Sequence, residues 1–249
     1  MDTSKETKVA IVTGSSRGIG AAVAKRLAAD GIAVLVNYAG NADAANAVVE
    51  AIKAKAGRAT AIQADVSVPA QVSSLFDQAI TLYGGVDILV NNAGIMQPGL
   101  TPLADTDDAL FDKIVAVNLK GTFNTLRIAA GKLRDGGRIV NFSSSVRKLA
   151  MPGYTVYAAT KSAVETLTNI FARELRGRNI TVNAVAPGPT ATDLFLKNKT
   201  KEQIEHLAKM PPLERLGQPG DIADAVAFLV GGDAQWVNGQ TLYVNGGIV

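Results

Sequence analysis

The amino-acid sequence predicts an α/β fold, a single doubly wound parallel sheet with helices on both faces. Two observations carry that expectation. Short runs dominated by Val, Ile, Leu and Ala alternate with longer amphipathic stretches along almost the whole chain, and strands that lack a polar face belong in a parallel sheet covered on both sides. No linker, internal repeat or block of like charge interrupts the rhythm, so residues 1–249 are expected to form one domain.

Lys8 to Val12 is the first apolar run, and Gly18-Ile-Gly20 opens an amphipathic helix reaching about Asp30, where Gly31 stops it. Ile32 to Asn37 is a second buried-type strand. A helix from Ala42 to Lys55 leads through Gly57 to the strand Ala59 to Gln63. Asp65-Val-Ser67 makes a turn, and Pro69 stands just inside the next helix, where a missing N–H does no harm; that helix runs to Tyr83 and ends at Gly84-Gly85. Val86 to Val90 is a strand finishing in Asn91-Asn-Ala-Gly94. Beyond a loop holding Pro98 and Pro102, one long helical pattern spans about Asp107 to Leu133, and Gly136-Gly137 separates it from the strand Arg138 to Phe142. The helix bearing Tyr157 extends to about Arg176, and Ile180 to Val185 is a strand closed by Pro187-Gly-Pro189. Residues 190–213 break the rhythm, after which Asp221 to Val230 reads as a helix and Gln240 to Val244 as the last strand.

Composition narrows function before any motif is considered. With 47% hydrophobic and 19% charged residues, the chain can bury a sizeable core. It has no cysteine, which removes disulfide and thiolate chemistry, and its one histidine, His206, offers no transition-metal site, so no metal is expected. A polar opening segment and the lack of an apolar run of about eighteen residues point to a cytoplasmic protein without a membrane span. The net charge of +3 is mild and Lys and Arg are scattered, so neither nucleic acid nor a membrane is the expected partner.

In open parallel sheets, ligands bind beyond the carboxyl ends of the strands. Thr13 to Gly20, Asn91 to Gly94, Ser143 to Ser145 and Pro187 to Thr192 all follow strands, so one crevice can collect them. Gly14-Ser-Ser-Arg-Gly18-Ile-Gly20 departs from the G-x-G-x-x-G fingerprint in spacing but keeps its logic. Gly14 can take a tight turn, Gly18 can let backbone approach a pyrophosphate, and Gly20 can let the helix lie close to the sheet with its N-terminus toward the anion. A carboxylate near the end of the second strand would hold an NAD ribose. That strand instead ends Val36-Asn37-Tyr38-Ala39-Gly40, and Arg17 inside the glycine loop can pair with a 2′-phosphate, so NADPH is expected over NADH. Asp43, the nearest acid, is expected to start a helix.

The reactive chemistry concentrates between Ser143 and Lys161. Lys161 follows Tyr157 by four positions, the spacing that puts both side chains on one helix face. A fixed ammonium favours the phenolate and lowers a tyrosine pKa from its usual value near 10, which makes the pair a proton-transfer device. Ser144 stands thirteen positions before Tyr157, where a strand runs out into a loop. On chemistry alone Ser143 or Ser145 can equally be the reacting hydroxyl. Tyr154 would share the face of Tyr157 but has no lysine four residues beyond it.

Taken together, Thr13-Gly14-x-x-x-Gly18-x-Gly20, Asn91-Asn-Ala-Gly94, Asn118, Ser144, Tyr157-x-x-x-Lys161 and Pro187-Gly188 resemble the short-chain dehydrogenase/reductase family, in order and at the family's spacing. The resemblance implies a Rossmann-type domain of seven strands, usually a homotetramer, that transfers hydride between a nicotinamide, here NADP(H), and a carbonyl or alcohol carbon. It implies that Tyr157 donates a proton to the carbonyl oxygen and that Ser144 holds that oxygen. Lys161 would lower the phenol's pKa and grip the nicotinamide ribose, and Asn118 would order a water leading from Lys161 to solvent. Cofactor contacts are further implied for Ser16, Arg17, Ile19, Asn37, Tyr38, Asp65, Val66, Asn92, Ala93, Gly94, Pro187, Gly188, Thr190 and Thr192. Asn118 can instead serve only to satisfy buried backbone, and Asn91 is read as structural.

The expected walls of the substrate end, beside Ser144, are Met96, Gln97, Met151, Pro152, Tyr154, Pro189, Leu194 and Phe195. The segment from about 190 to 213 reads as a mobile lid, or else as a surface helical insertion. Arg147 and Lys148 meet an acidic substrate or remain a solvated pair. Among relatives, the sequence looks like the 3-oxoacyl-[acyl-carrier-protein] reductases and the broad carbonyl reductases close to them. The leading expectation is NADPH-dependent reduction of a small-molecule ketone. Reduction of carrier-bound acyl groups, with Arg127 and Arg173 as docking cations, comes second, and a non-catalytic NADP(H) sensor is the alternative from another class. His206 is expected on a surface helix and Trp236 in packing.

Overall fold

The computed structural model describes residues 7–197 and 199–249, with the Leu194 side chain outside the described part. Seven strands, β1 (Val9–Val12), β2 (Ala33–Tyr38), β3 (Ala59–Gln63), β4 (Val86–Asn91), β5 (Leu133–Phe142), β6 (Thr181–Pro187) and β7 (Thr241–Val244), form one sheet in the order β3-β2-β1-β4-β5-β6-β7. Every neighbouring pair is parallel.

The helices cover both faces, and the pleat of β1 shows how. Ala10 and Val12 pack with buried residues of α1 (Gly18–Ala29), α2 (Ala42–Lys53) and α10 (Pro219–Val230). Val9 and Ile11 point the other way, toward α3 (Pro69–Tyr83), α5 (Gly121–Lys132) and α7 (Thr155–Glu174). Because successive side chains of a strand alternate faces, a strand apolar at every position needs exactly such a double cover. Chain order reverses between β1 and β4, which are hydrogen-bonded neighbours. Loops leaving two such strands diverge and open a crevice at the carboxyl edge.

Two segments depart from the sequence expectation. The long helical pattern is broken into α4 (Asp108–Ile114), a π-helical turn at Val115–Lys120, and α5. β5 starts at Leu133, before Gly136-Gly137: Leu133 pairs with Val86, and regular pairing resumes at Arg138 beyond an irregularity. Residues 190–213 contain α8 (Asp193–Leu196) and α9 (Lys201–Lys209), and the roots of the excursion are tied together, Ala191 N–H donating to Gly217 O at 2.8 Å and Gly217 N–H to Pro189 O at 2.9 Å. A one-turn helix, α6 (Val146–Leu149), also follows β5. His206 lies exposed on α9 as expected, whereas Trp236 is 99% exposed and packs no core. Among the described residues no helix is long and apolar enough to cross a membrane.

Candidate active site

A cavity of about 680 Å³ opens at the carboxyl edge of the sheet. The glycine loop lines it with Gly14, Ser16, Arg17, Gly18, Ile19 and Gly20; the ends of β2 and β3 add Asn37, Tyr38, Asp65 and Val66. The β4 loop brings Asn92, Ala93 and Gly94, and the β6 loop brings Pro187, Gly188, Pro189, Thr190 and Thr192. The same cavity reaches Ser144, Tyr157 and Lys161, then Met96, Met151, Tyr154 and Phe195. All four post-strand segments therefore converge as the sequence predicts. Leu194 lies outside the described side chains. Gln97 and Pro152 do not face the cavity: the buried Gln97 amide donates to Gly153 O at 2.7 Å, and Pro152 is exposed.

The three serines are separated by their partners. Ser143 and Ser145 are buried, the first donating to Glu165 Oε1 at 2.6 Å and the second to Ala186 O at 3.2 Å. Ser144 alone of the three is half-buried; its Oγ accepts from Val146 N–H at 3.3 Å, and it lines the same cavity as Tyr157. Lys161 is buried four residues along α7, with Nζ donating to Phe142 O at 2.8 Å and standing 5.6 Å from the Tyr157 ring centroid. Tyr154, at the helix N-cap, packs edge-on against Tyr157 with ring centroids 6.4 Å apart.

These distances coincide with strong similarities to known proteins. A family model described as enoyl-(acyl carrier protein) reductase matches residues 14–249. An NADPH-dependent aldehyde reductase-like chloroplastic protein of Arabidopsis thaliana is 45% identical over 97% of this chain and 94% of its own. A 3-oxoacyl-[acyl-carrier-protein] reductase of Staphylococcus aureus is 45% identical over 98% of this chain and 99% of its own. The crystal structure of a short chain dehydrogenase from Burkholderia cenocepacia, in complex with NADP, superposes with a TM-score of 0.91 at 41% identity, covering 97% of each chain. The chain belongs to the short-chain dehydrogenase/reductase family. It is an NAD(P)-dependent oxidoreductase.

The family's dinucleotide fits the cradle this short-chain dehydrogenase/reductase builds. A Cβ on Gly14 would come within 2.8 Å of Ala93 Cα, so only glycine lets the glycine loop touch the β4 loop. Gly18, with φ +57°, leaves its approach open except for the Thr192 side chain at 3.5 Å. A Cβ on Gly20 would stand 2.4 Å from Asn92 Nδ2 and 2.6 Å from Gly14 O, and the backbone oxygen cannot retreat. Asn92 is itself locked, donating to Thr13 O and Gly14 O at 2.9 Å each. Gly20→Ala is accordingly expected to lower stability by about 1–3 kcal/mol and to weaken NADPH binding at least about tenfold through the shared loop, readable by thermal melting and by cofactor fluorescence titration.

Sequence reasoning missed part of the lining. Asn41 and Ala44 reach the cavity at the start of α2, where Asn41 caps the helix by accepting from Ala44 N–H at 2.9 Å. This cap, followed by Asp43 in the first turn as predicted, was legible as a helix start, but nothing local shows which way the helix points. Lys199 and Leu207, from the irregular 190–213 region, also line the cavity.

Asn118 is fully buried in the π-helical turn and does not face the cavity. Its carboxamide accepts from Ile95 N–H at 2.8 Å and donates to Ile95 O at 2.9 Å and to Thr160 Oγ1 at 3.3 Å. Pinning the β4 loop this way needs the side chain turned into the protein, and the wider turn provides it; π turns often mark functional sites. Asn91 is structural as read, in a buried ladder with Thr125 (2.7 Å) and Asn141 (2.8 Å) that Thr168 closes at 2.9 Å.

One expectation reverses in the protein by itself. Lys161 was expected to lower the Tyr157 pKa, but burial pushes the phenol up to about 12, against which the Ser144 hydroxyl pulls weakly down. Burial also pushes Lys161 down to about 8. Both charged forms are penalised for the same reason, removal from water, and the ammonium directs its proton to the Phe142 carbonyl instead of the phenol.

Proposed function

We propose that this short-chain dehydrogenase/reductase reduces the carbonyl group of a small-molecule ketone at the expense of NADPH. The observation that carries the reading is the meeting of Tyr157, Ser144 and Lys161, the last one helical turn from the phenol, in a cavity also walled by Met96, Met151, Tyr154 and Phe195. A phenol held protonated by burial is a proton donor ready for the carbonyl oxygen, and Ser144 is placed to hold that oxygen while negative charge develops on it. Lys161 would grip the nicotinamide ribose and supply positive charge beneath the phenol. Asn118 would fix Gly94 and Ile95 against Lys161, a Cβ on Gly94 coming 3.5 Å from Lys161 Nζ. The hydride itself is the chemistry that NADPH supplies when bound.

NADPH over NADH rests on charge. The end of β2 offers Asn37 and Tyr38 but no acid, and the exposed Arg17 stands at the N-cap of α1 on the cavity wall. Arg17→Ala is expected to raise KM for NADPH about tenfold and leave that for NADH within about twofold, the worth of one charge-assisted pair to a phosphate. An unchanged preference would exclude Arg17.

Residues 190–213 would serve as the lid, rooted at Pro189, Ala191 and Gly217 and presenting Phe195, Lys199 and Leu207 to the cavity. A homotetramer would cover exposed apolar side chains such as Phe111, Phe123 and Ile170 on α4, α5 and α7, and Phe228, Trp236 and Leu242. A second reading, reduction of acyl groups on a carrier protein, is favoured by Arg127 and Arg173, both exposed on the long helices α5 and α7. Following NADPH absorbance with neutral ketones, β-keto esters, quinones and a carrier-bound β-ketoacyl thioester separates the readings. Turnover of free ketones is the expected result; turnover of the carrier-bound thioester alone would favour the second reading, and NADPH binding without any turnover would favour a sensor.

A further inference from the structure

The sequence leaves Arg147 and Lys148 as either substrate ligands or a solvated pair; both are exposed and outside the cavity lining, and Arg147 is held by specific partners. Arg147 Nε lies 3.0 Å from Glu165 Oε2, and its other nitrogen donates to Tyr243 Oη at 2.8 Å. Tyr243 in turn donates to Glu165 Oε1 at 3.2 Å, and Lys148 Nζ sits 4.1 Å above the Tyr243 ring. The mostly buried Glu165 carboxylate thus gathers α6, α7 and β7, and its Oε1 also accepts from Ser143 at 2.6 Å. On the opposite flank, Asn245 Nδ2 donates to Ser145 Oγ at 3.0 Å.

Ser144 is therefore the middle residue of three, and the side chains of both neighbours are tied to residues outside the cavity lining, Ser143 to Glu165 and Ser145 to Asn245. α6 is a single turn, too short to hold its shape alone. Yet its Val146 and Leu149 line the cavity beside Ser144. The side chain that ties that turn to α7 and β7 is the Glu165 carboxylate, four residues beyond Lys161.

We propose that Glu165, together with Arg147 and Tyr243, is a positioning residue that sets Ser144 and the α6 wall of the substrate end; the inference rests on the ketone-reductase reading above. It acts through Ser143 and Arg147 and not through the glycine loop, so its loss should damage turnover and spare the dinucleotide. A displacement of the reacting hydroxyl by about 1 Å is enough to cost about 10- to 100-fold in rate.

The test compares Glu165→Ala and Glu165→Gln with the parent. Glu165→Ala is expected to lower kcat for a ketone about 10- to 100-fold while the Kd for NADPH stays within about twofold. Glu165→Gln keeps an acceptor for Ser143 and Tyr243 but turns an amide donor toward Arg147, so the rate should return only in part, above that of Glu165→Ala. In hydrogen–deuterium exchange of the free protein, amides of residues 145–150 should exchange faster in Glu165→Ala, with α1 and α10 unchanged. Parental kcat in Glu165→Ala, unaltered exchange at 145–150, or faster exchange spread through α1 with matching loss of NADPH binding would each overturn the proposal. If Glu165→Ala fails to fold, Tyr243→Phe, which deletes one hydroxyl, carries the same exchange and turnover comparison. A parent that reduces no ketone contradicts the functional reading instead, and the exchange measurement still decides the role of Glu165.

Discussion

Tyr157→Phe is expected to lower kcat for ketone reduction about 1,000-fold while leaving NADPH binding within about threefold of the parent. The substitution removes one oxygen and keeps the ring, so the edge-on packing with Tyr154 survives. What disappears is the phenol hydroxyl that shares the cavity with Ser144 and Lys161. Ser144 cannot replace it as a proton donor, since an aliphatic hydroxyl is a far weaker acid than a phenol; it can only support the oxygen. Steady-state kinetics beside a fluorescence titration of NADPH would check the split. Retained activity would remove Tyr157 from the mechanism.

Lys161→Met is expected to do two opposite things, abolishing most turnover and raising stability near neutral pH. Burial takes the ammonium from its ordinary value of 10.5 down to about 8, so carrying it charged at pH 7 costs about 3 kcal/mol. The lost hydrogen bond to Phe142 O returns about 1 kcal/mol of that. The sign follows from the depressed value: the penalty is fully present below about pH 8 and is relieved as pH rises toward 10.5. Melting curves should therefore show the variant more stable at pH 7, with the gap closing between pH 8 and about 10.5. In the parent, kcat/KM for NADPH, which reports the free enzyme, should hold level below pH 8 and fall above it as Lys161 loses its charge, while Tyr157 remains protonated toward 12. A falling limb that persists unchanged in Lys161→Met would assign it to another group.

The strands and most helix boundaries were legible because their signals are local. Pro69 and Gly84 bracket α3 as expected, and the Val, Ile and Leu runs became strands buried on both faces. The glycine loop, Ser144, Tyr157 and Lys161 were legible because their spacing is itself the geometry, a turn of helix or a strand end. Features made by distant residues were not. The π-helical turn answers to Ile95, twenty-three residues before Asn118, and its sequence reads as ordinary helix. The partners of Arg147 are Glu165 and Tyr243, the second ninety-six residues away. The direction of the Tyr157 pKa failed for the same reason: charge proximity shows in i, i+4 spacing, but burial is a property of the assembled core. Gly136-Gly137 looked like a break and instead sits inside β5, because Leu133 already pairs with Val86.

The central claim, that phenol, serine hydroxyl and lysine serve one carbonyl beside a bound nicotinamide, is tested most directly by isotope transfer. The protein would be incubated with NADPH deuterated at the transferable position and an aryl ketone, and the product alcohol examined by mass spectrometry. The account predicts one deuterium on the carbinol carbon of the alcohol formed by the parent, and about 1,000-fold less labelled alcohol per unit time with Tyr157→Phe, although both bind the cofactor. Alcohol formed without the label, or equal rates of labelled alcohol from the two proteins, would contradict it.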